Sequence, residues 1–390
     1  MQPGSSRVTP VPTERALGYY RAAVTTPTPV PLSVIVVTFN SLVGIRAGLS
    51  ALLAQLAEGD QLVVVDNASH DGTVEAVREL APQAVLIQNA ANEGFAAACN
   101  AGARAATAEL LLFLNPDAVP AAGFVRGIRL PIAEDRGWAA WMGLVTSDGG
   151  KLVNSRGGVV HFTGVSWAGG ADEPIGTAPS EPEEVAVVSG ACLALPRRTW
   201  EQQGGFSPHY FMYAEDLDLS LRLRLEDGRL GIEPSARIDH SYEFHKGKLK
   251  WRLLERNRWA TVLRTYPGSL LALVAPALLA TELALLAIAL AGGWLPQKLL
   301  AWADTARALP RLLRERRAVQ SRRRVSAYEF ARRLTPALSS PYLGPARRLP
   351  GLGPALRLYW FVVLALLRAA SGRSGGSARA GGPRRDSRSS

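Results

Sequence analysis

Two apolar runs in this 390-residue chain stop abruptly at carboxylates, and each stop is a place where chemistry could be done. The sharper is LFLNPDA, Leu112 to Ala118, where an unbroken apolar stretch from Leu110 gives way to Asn115, Pro116 and Asp117. Leu110 to Leu114 shows no alternation, so it reads as a strand covered on both faces, and Pro116 stops the ladder. Asp117 then sits at the carboxyl end of a central strand, the edge of an open α/β sheet where ligands bind. A carboxylate there can hold a hard divalent cation between protein and a diphosphate. The other reading of so short a motif is a turn in which Asp117 caps the next helix. The second stop is Gln61 to Val65, ending at Asp66 and followed by a polar turn of Asn67, Ser69 and Asp71-Gly72. A third carboxylate group, Glu215, Asp216 and Asp218, clusters in what reads as the first turn of a helix, where acids are favoured.

The elements that must position these groups follow from hydrophobic spacing. Leu32 to Thr38 is a β-branched run ending in Phe39 and Asn40, and Leu42, Ile45, Leu49, Leu52, Leu53 and Leu56 follow at helical spacing. Gln61 to Asp66 predicts a second strand, Thr73 to Leu80 a second helix, and Ala84 to Gln88 a third strand. The small residues of Asn92 to Gly102 suit a helix packed closely on a sheet. Strands alternating with helices across short connections imply a doubly wound, mainly parallel α/β sheet with right-handed crossovers. Phe39-Asn40, Asp66-Asn67 and Asn115-Asp117 should therefore line one edge. From about Trp138 to Glu184 the chain is rich in Gly, Trp and turn residues and predicts mixed or antiparallel strands in no legible order.

Composition bounds the rest. A 47% hydrophobic content allows one large domain with appendages, and the net charge of +11 gathers after Leu299, as an added surface-binding region would. Cys99 and Cys192 offer neither a disulfide framework nor zinc-site spacing, which fits a reducing compartment. The first 30 residues, rich in Pro, Thr and Ser, predict a flexible segment with no apolar signal-like core. Leu270 to Leu290 is long enough for a membrane span. Pro276, Glu282 and basic residues on both flanks (Lys246, Lys248, Lys250, Arg252 and Arg256 before it) favour a hairpin dipping into one leaflet or an interfacial helix. Leu358 to Leu367 reads as too short to cross and suited to the interface. Residues after about Ser371 should be disordered.

Five ordered blocks, VIVVTFN (34 to 40), VVVDNASHDGT (63 to 73), NEGFAAACNAG (92 to 102), LFLNPDA (112 to 118) and GGFSPHYFMYAEDLDLSLR (204 to 222), resemble the family 2 glycosyltransferases of the GT-A fold. The resemblance is to the rhamnosyltransferase-like branch acting on bacterial envelope glycans, and it covers roughly residues 31 to 265. It implies an inverting transfer of a sugar, rhamnose included, from a nucleotide-diphosphate sugar to a lipid-linked or envelope glycan, with Mg or Mn as cofactor. Thr38, Asn40, Asp66, Asn67, Ser69, Asn92, Gly94, Arg104 and Asn115 would then contact the nucleotide sugar, Asp66 at the base or ribose. Asp117 matches the last acid of the family's DXD metal signature, with Asn115 in place of its first. His240 would add a metal ligand, with His245 in reserve. Asp216, paired with Glu215, matches the general base, kept ionised by the helix N-terminus, while Tyr210, Phe211 and Tyr213 could stack on sugars. Arg256 and Asn257 match a further family stretch and could reach the acceptor or diphosphate.

The resulting organisation is a GT-A domain over 31–265, membrane-associated helices over 266–370 and a tail over 371–390, placed at the cytoplasmic face of a membrane. Two other readings stay open. A GT-A-like nucleotidyltransferase should carry a Gly-rich basic loop after strand one, of which SLVGIRAGL is a poor version. A membrane-binding scaffold with a decayed nucleotide pocket would not need Asp66, Asp117 and Asp216 together. Arginines without interleaved aromatics on a recognisable module argue against a nucleic-acid partner.

Overall fold

The computed structural model describes residues 29–240, 247–339 and 350–376. The N-terminal segment to residue 28, His245 and residues 377–390 lie outside them. The chain opens with β1 (Leu32–Thr38), α1 (Leu42–Leu53), β2 (Gln61–Asp66), α2 (Thr73–Leu80), β3 (Val85–Gln88), α3 (Phe95–Ala105) and β4 (Leu110–Leu114). Every residue of β1 and β4 is buried, because helices cover both faces, and this is why β4 is apolar throughout and β1 apolar but for Ser33 and Thr38, rather than alternating. β1 pairs in parallel with β2 and β4, setting Thr38 opposite Asp66 and Val36 opposite Leu114. That register brings the three polar strand ends to one edge.

There follow β5 (Val119–Pro120), α4 (Phe124–Ala133), β6 (Trp138–Ser147), β7 (Leu152–Ser155), β8 (Gly158–Val160), β9 (Ser166–Ala168), β10 (Glu183–Glu184), β11 (Cys192–Pro196), α5 (Arg197–Gln203), α6 (Glu215–Leu225) and β12 (Arg229–Asp239). The main sheet has the order β10-β12-β6-β11-β4-β1-β2-β3, with β5 attached to β12 and β7 to β6. β11 runs antiparallel between β4 and β6, while β12 and β6 are parallel, so the mostly parallel sheet has β11 reversed at its centre and the short β10, β5 and β7 reversed at its margins. β8 and β9 form a separate hairpin.

Five helices end the chain: α7 (Leu249–Thr265), α8 (Gly268–Ala291), α9 (Leu295–Ser321), α10 (Ala327–Ala331) and α11 (Leu352–Gly376). α8 turns Leu270, Val274, Leu278 and Glu282 inward, one residue per turn on one face, and leaves Leu279, Leu283, Ile288 and Leu290 exposed. Glu282 closes a buried cluster whose charges cancel. Arg258 of α7 pairs with Glu255 at 3.0 Å and with Glu282, while Lys298 of α9 pairs with Glu282 at 2.8 Å and with Glu255. Removing one member would strand a buried charge, at a cost of about 3–5 kcal/mol.

Three expectations change here. Leu358 to Leu367 is part of a longer helix, whose stretch Leu352–Ser371 is long and apolar enough to cross a membrane, as is Gly268–Ala291. α11 also continues to Gly376, past the point where disorder was expected. Three residues of the basic flank before α8 are engaged within the fold: Lys250 is buried, Arg252 holds Asp304 at 2.6 and 2.9 Å, and Arg256 donates to the carbonyls of His209 and Tyr210, while Lys248 stays exposed and Lys246 lies outside the described residues.

Candidate active site

At the ends of β1 and β2 the polar side chains hold one another. The Asp66 carboxylate accepts from the Thr38 hydroxyl at 2.7 Å, the Ser69 hydroxyl at 2.6 Å and the Ser69 amide at 2.9 Å. With Asp66 only 2% exposed, its oxygens organise the 67–72 turn from beneath, and what faces solvent is Phe39 and Asn40. Asn40, at φ 49°, donates its amide to Ser69 Oγ at 2.8 Å and accepts from the His70 amide at 2.9 Å. Asn67 donates to the Gly94 carbonyl at 3.3 Å and accepts from Asn89 Nδ2 at 2.8 Å. Asn92 Oδ1 accepts from the Gly94 amide at 2.9 Å, shaping the turn into α3. Gly94 has φ +86°, and a Cβ there would stand 2.5 Å from the Phe211 ring, so only glycine lets this turn close on the loop before α6.

Arg104 does not join this group. It is exposed in the last turn of α3, whose C-terminal Ala105 carbonyl accepts from Gln61 at the start of β2. α3 runs back across the sheet, so its end lies at the amino edge, opposite the site, and the expected nucleotide contact is not made from there.

Asn115, Asp117 and His240 do converge. β5 follows directly on the NPDA turn and pairs antiparallel with the end of β12, Asp239 opposite Val119. His240 Nε2 consequently lies 3.1 Å from Asp117 Oδ1 and 3.2 Å from Asn115 Nδ2, with Asp117 near half exposure. His240 Nδ1 is buried without a hydrogen-bond partner among the described residues. The carboxylate and amide oxygens are donors that suit Mn or Mg, and the imidazole nitrogen is a softer donor that favours Mn over Mg, provided other ligands complete the shell. Only two of these residues are of strongly ligating type, and no group of three or more His, Cys, Asp or Glu gathers among the described residues.

The glycines of SLVGIRAGL explain themselves here. A Cβ on Gly44 would meet the Asp117 Cβ at 2.6 Å, and one on Gly48 the Ala118 carbonyl at 2.7 Å. They let α1 lie directly against the NPDA turn; they do not form a catalytic loop.

The α6 acids face three different environments. Asp216 Oδ2 accepts from the Gly190 amide at 2.8 Å and Oδ1 from the Leu217 amide at 2.7 Å. Burial pushes its pKa above the ordinary carboxylate value, and those backbone donors oppose the rise. The helix N-terminus was expected to lower it; desolvation wins instead. Glu215 is 6% exposed, its Oε2 has no partner among the described residues, and burial, then Asp216 and Asp218, raise it well above the ordinary value. Expected beside Asp216 as a catalytic group, it is instead sealed under the site. Burial alone would raise Asp218 as well, but Arg264 at 2.6 Å and Arg222 at 2.8 Å bring it below the ordinary range.

The loop that presents these acids is strained. Phe211, Tyr213 and Ala214 have φ of 63°, 70° and 62°, each costing roughly 1 kcal/mol or more outside glycine. Asn257 of α7, 1% exposed, holds it by donating from Nδ2 to the carbonyls of Tyr210, Met212 and Tyr213 at 3.0, 2.9 and 2.7 Å. Arg256 adds donors to His209 and Tyr210 and orients Asn257 Oδ1 at 3.0 Å. Sequence reasoning placed these two residues at the acceptor or diphosphate; they grip the loop backbone. Tyr210 itself is buried, its hydroxyl on Asp218 and Thr261. Gly190 was also missed, although its place inside an apolar run was a signal. It joins the two halves of the site, since the neighbouring Ala191 carbonyl accepts from the Asn115 amide at 3.1 Å while Gly190 donates to Asp216.

Residues 33–166 match the family model "Glycosyl transferase family 2". Two curated relatives, the N-acetylglucosaminyl-diphospho-decaprenol L-rhamnosyltransferases of Mycobacterium tuberculosis strains CDC 1551 / Oshkosh and ATCC 25618 / H37Rv, are each 29% identical over 244 aligned residues. Those alignments cover 56% of this chain and 78% of the relative. Among solved structures, GalNAc-T7 with UDP, GalNAc and Mn2+ superposes with a TM-score of 0.51 at 15% identity, over 63% of this chain. The match spans 51% of the GalNAc-T7 chain, about half its length, and at that identity it speaks to the fold. The family match spans the first four sequence blocks, and with the curated relatives and the sheet topology it makes the chain a glycosyltransferase of the GT-A fold whose residues 33–166 are similar to family 2.

Proposed function

We propose that the chain inverts the anomeric centre of a nucleotide-diphosphate sugar, rhamnose being the favoured sugar, while transferring it to a lipid-linked or cell-envelope glycan at the cytoplasmic face of a membrane. The observation that carries this is the bridge between the two halves of the site. The Gly190-Ala191 segment sets Asp216, as base, beside the Asn115-Asp117-His240 edge suited to a metal-bound diphosphate. Phe39 and Asn40, with the half-buried Ser69, offer the surface for base and ribose at the strand ends, while Asn67 is buried beneath them. Asp117 and His240, with Asn115, would hold a divalent cation, which supplies counter-charge to the leaving diphosphate.

Asp216 takes the proton of the acceptor hydroxyl as that oxygen bonds to the anomeric carbon, and the carbon–oxygen bond to the diphosphate breaks with its electrons leaving on the diphosphate. A carboxylate raised by burial is the stronger base for this. Rhamnose and a lipid-linked acceptor draw support from the relatives, which are described as rhamnosyltransferases acting on a diphospho-decaprenol substrate. Manganese draws support from GalNAc-T7, solved with UDP, GalNAc and Mn2+. The exposed apolar faces of α8 and α11, Leu279, Leu283, Leu358 and Phe361 among them, support a membrane surface. Glu282, held to α7, favours α8 lying along that surface over crossing it.

The test is nucleotide diphosphate release by the purified full-length protein with a panel of sugar nucleotides and divalent metals, with and without membrane extract. Acceleration by a nucleotide-diphosphate rhamnose plus extract and metal is expected. Transfer to a soluble acceptor alone, or undiminished release in excess chelator, would overturn the acceptor or the metal assignment respectively.

A further inference from the structure

A cavity of about 400 Å3 opens where α8 begins, lined by Gly268, Leu313, Arg316, Arg317, Gln320 and Arg323. Its charges are wrong for the protein alone. The first turn of α8 has Pro267 as its cap, no side-chain cap bond and no acid, so its free amides present the positive end of a 24-residue helix. Against that end stands Arg316, fixed by donating to the Leu263 carbonyl at 2.7 Å, with its Nη2 3.8 Å from where a Cβ on Gly268 would be. Burial, and then Arg323, hold Arg316 below the ordinary arginine pKa. Other arginines near this helix have acids: Arg322 pairs with Glu226 at 2.9 Å, Arg311 with Glu315 and Arg307 with Asp304, both at 3.5 Å. Arg316, Arg317 and Arg323 have no acidic partner among the described residues.

We infer that this cavity binds a phosphate group, of the kind carried by an anionic membrane lipid. Three guanidinium forks and a helix N-terminus converge there, and a tetrahedral oxyanion can accept from several of them while cancelling their repulsion. The lipid source follows from position: the apolar helix that leaves Leu279, Leu283, Ile288 and Leu290 exposed starts at the cavity. This deepens the membrane-surface reading and rests on it for the source of the phosphate, though not for the phosphate chemistry.

The experiment uses the full chain, flotation with vesicles of phosphatidylcholine alone or mixed with phosphatidylglycerol, and thermal melts with and without inorganic phosphate. Arg317→Ala and Arg323→Ala should each weaken the phosphatidylglycerol-dependent binding about fivefold. Arg314→Ala, an exposed arginine of α9 outside the cavity, should change it less than twofold. Arg316→Ala is expected to act as strongly, and the two exposed cavity variants keep the test intact if it misfolds. A melting temperature raised by inorganic phosphate in the wild type but not in Arg323→Ala supports the site with a soluble source. Vesicle selectivity without that shift supports a lipid headgroup. Equal losses in all variants, or no dependence on either phosphate source, would overturn the site. Failure of the wild type to float with either kind of vesicle, with the phosphate shift retained, would instead sink the membrane reading alone.

Discussion

The two ends of the catalytic edge are built in opposite ways. At β1 and β2, Asp66, Thr38, Ser69 and Asn40 satisfy one another over two strand ends and one turn, with short bonds inside a single structural unit. At α6, three left-handed residues are forced into place by one asparagine more than forty positions later, on a helix that is also wired to α8 and α9. The end proposed for the donor is therefore self-supporting. The base end depends on the C-terminal helices, so damage to α7 should reach the chemistry without reaching the nucleotide.

The largest break of that contrast is the base itself. Asp216→Asn should lower kcat about 100-fold or more while leaving nucleotide affinity near wild type, because the group acts on the acceptor. Isothermal titration with the nucleotide diphosphate, alongside turnover, checks both halves, and wild-type turnover in the variant would reject the assignment.

Asn257→Ala tests the dependence directly. It takes the Nδ2 donor from the Met212 and Tyr213 carbonyls, while Tyr210 keeps Arg256, at a cost of about 1–3 kcal/mol for each group left unsatisfied, and releases the strained loop. Asn257 is a positioning residue, so kcat should fall about tenfold or more with nucleotide affinity retained, and the acid limb of the kcat–pH profile should move as Asp216 loses its fixed surroundings. A stability loss with kcat and pH profile unchanged would reduce Asn257 to a packing role.

At the donor end, Asp117→Ala and chelation should act through the same ion. Each should weaken nucleotide-sugar binding about tenfold, and chelator should have little further effect on the variant. Additive losses would separate Asp117 from the metal.

How much of this was legible follows the same divide. Strand ends read well, because buried parallel strands must be apolar and must stop at polar residues, and β1, β2 and β4 do both. The approach of His240 to Asp117 was reached through a resemblance; in physical terms it depends on the two-residue β5 pairing with β12, which no periodicity reveals. Gly190 stood out only as a glycine inside an apolar run, and Asn257 was reached through the resemblance but placed at the acceptor or diphosphate; the contacts that give Gly44, Gly190 and Asn257 their roles, with Asp117, Asp216 and the 210–213 carbonyls, join residues far apart in sequence and leave no pattern in spacing. Arg104 misled for the converse reason: its neighbours in sequence belong to the site, but α3 carries it across the sheet to the far edge.

The smallest expected effect lies beneath the base, at Glu215, and it sharpens the view that only one acid of the pair works. Its folded pKa is raised by burial and by Asp216 and Asp218, so folding favours the protonated form. A raised carboxylate pKa means stability is fully present below the unfolded value, about 4.3, and is progressively lost as pH rises towards the folded pKa. Glu215→Gln keeps the shape and removes the ionisation. The melting temperature of this variant relative to wild type should therefore gain little at pH 4 and more at pH 8, with kcat within about threefold, because a sealed carboxyl cannot touch the acceptor. Thermal melts across that range, with turnover at pH 8, decide it. A difference that shrinks with rising pH would mean that Glu215 is ionised in the fold. A collapse of kcat would return it to the catalytic machinery beside Asp216.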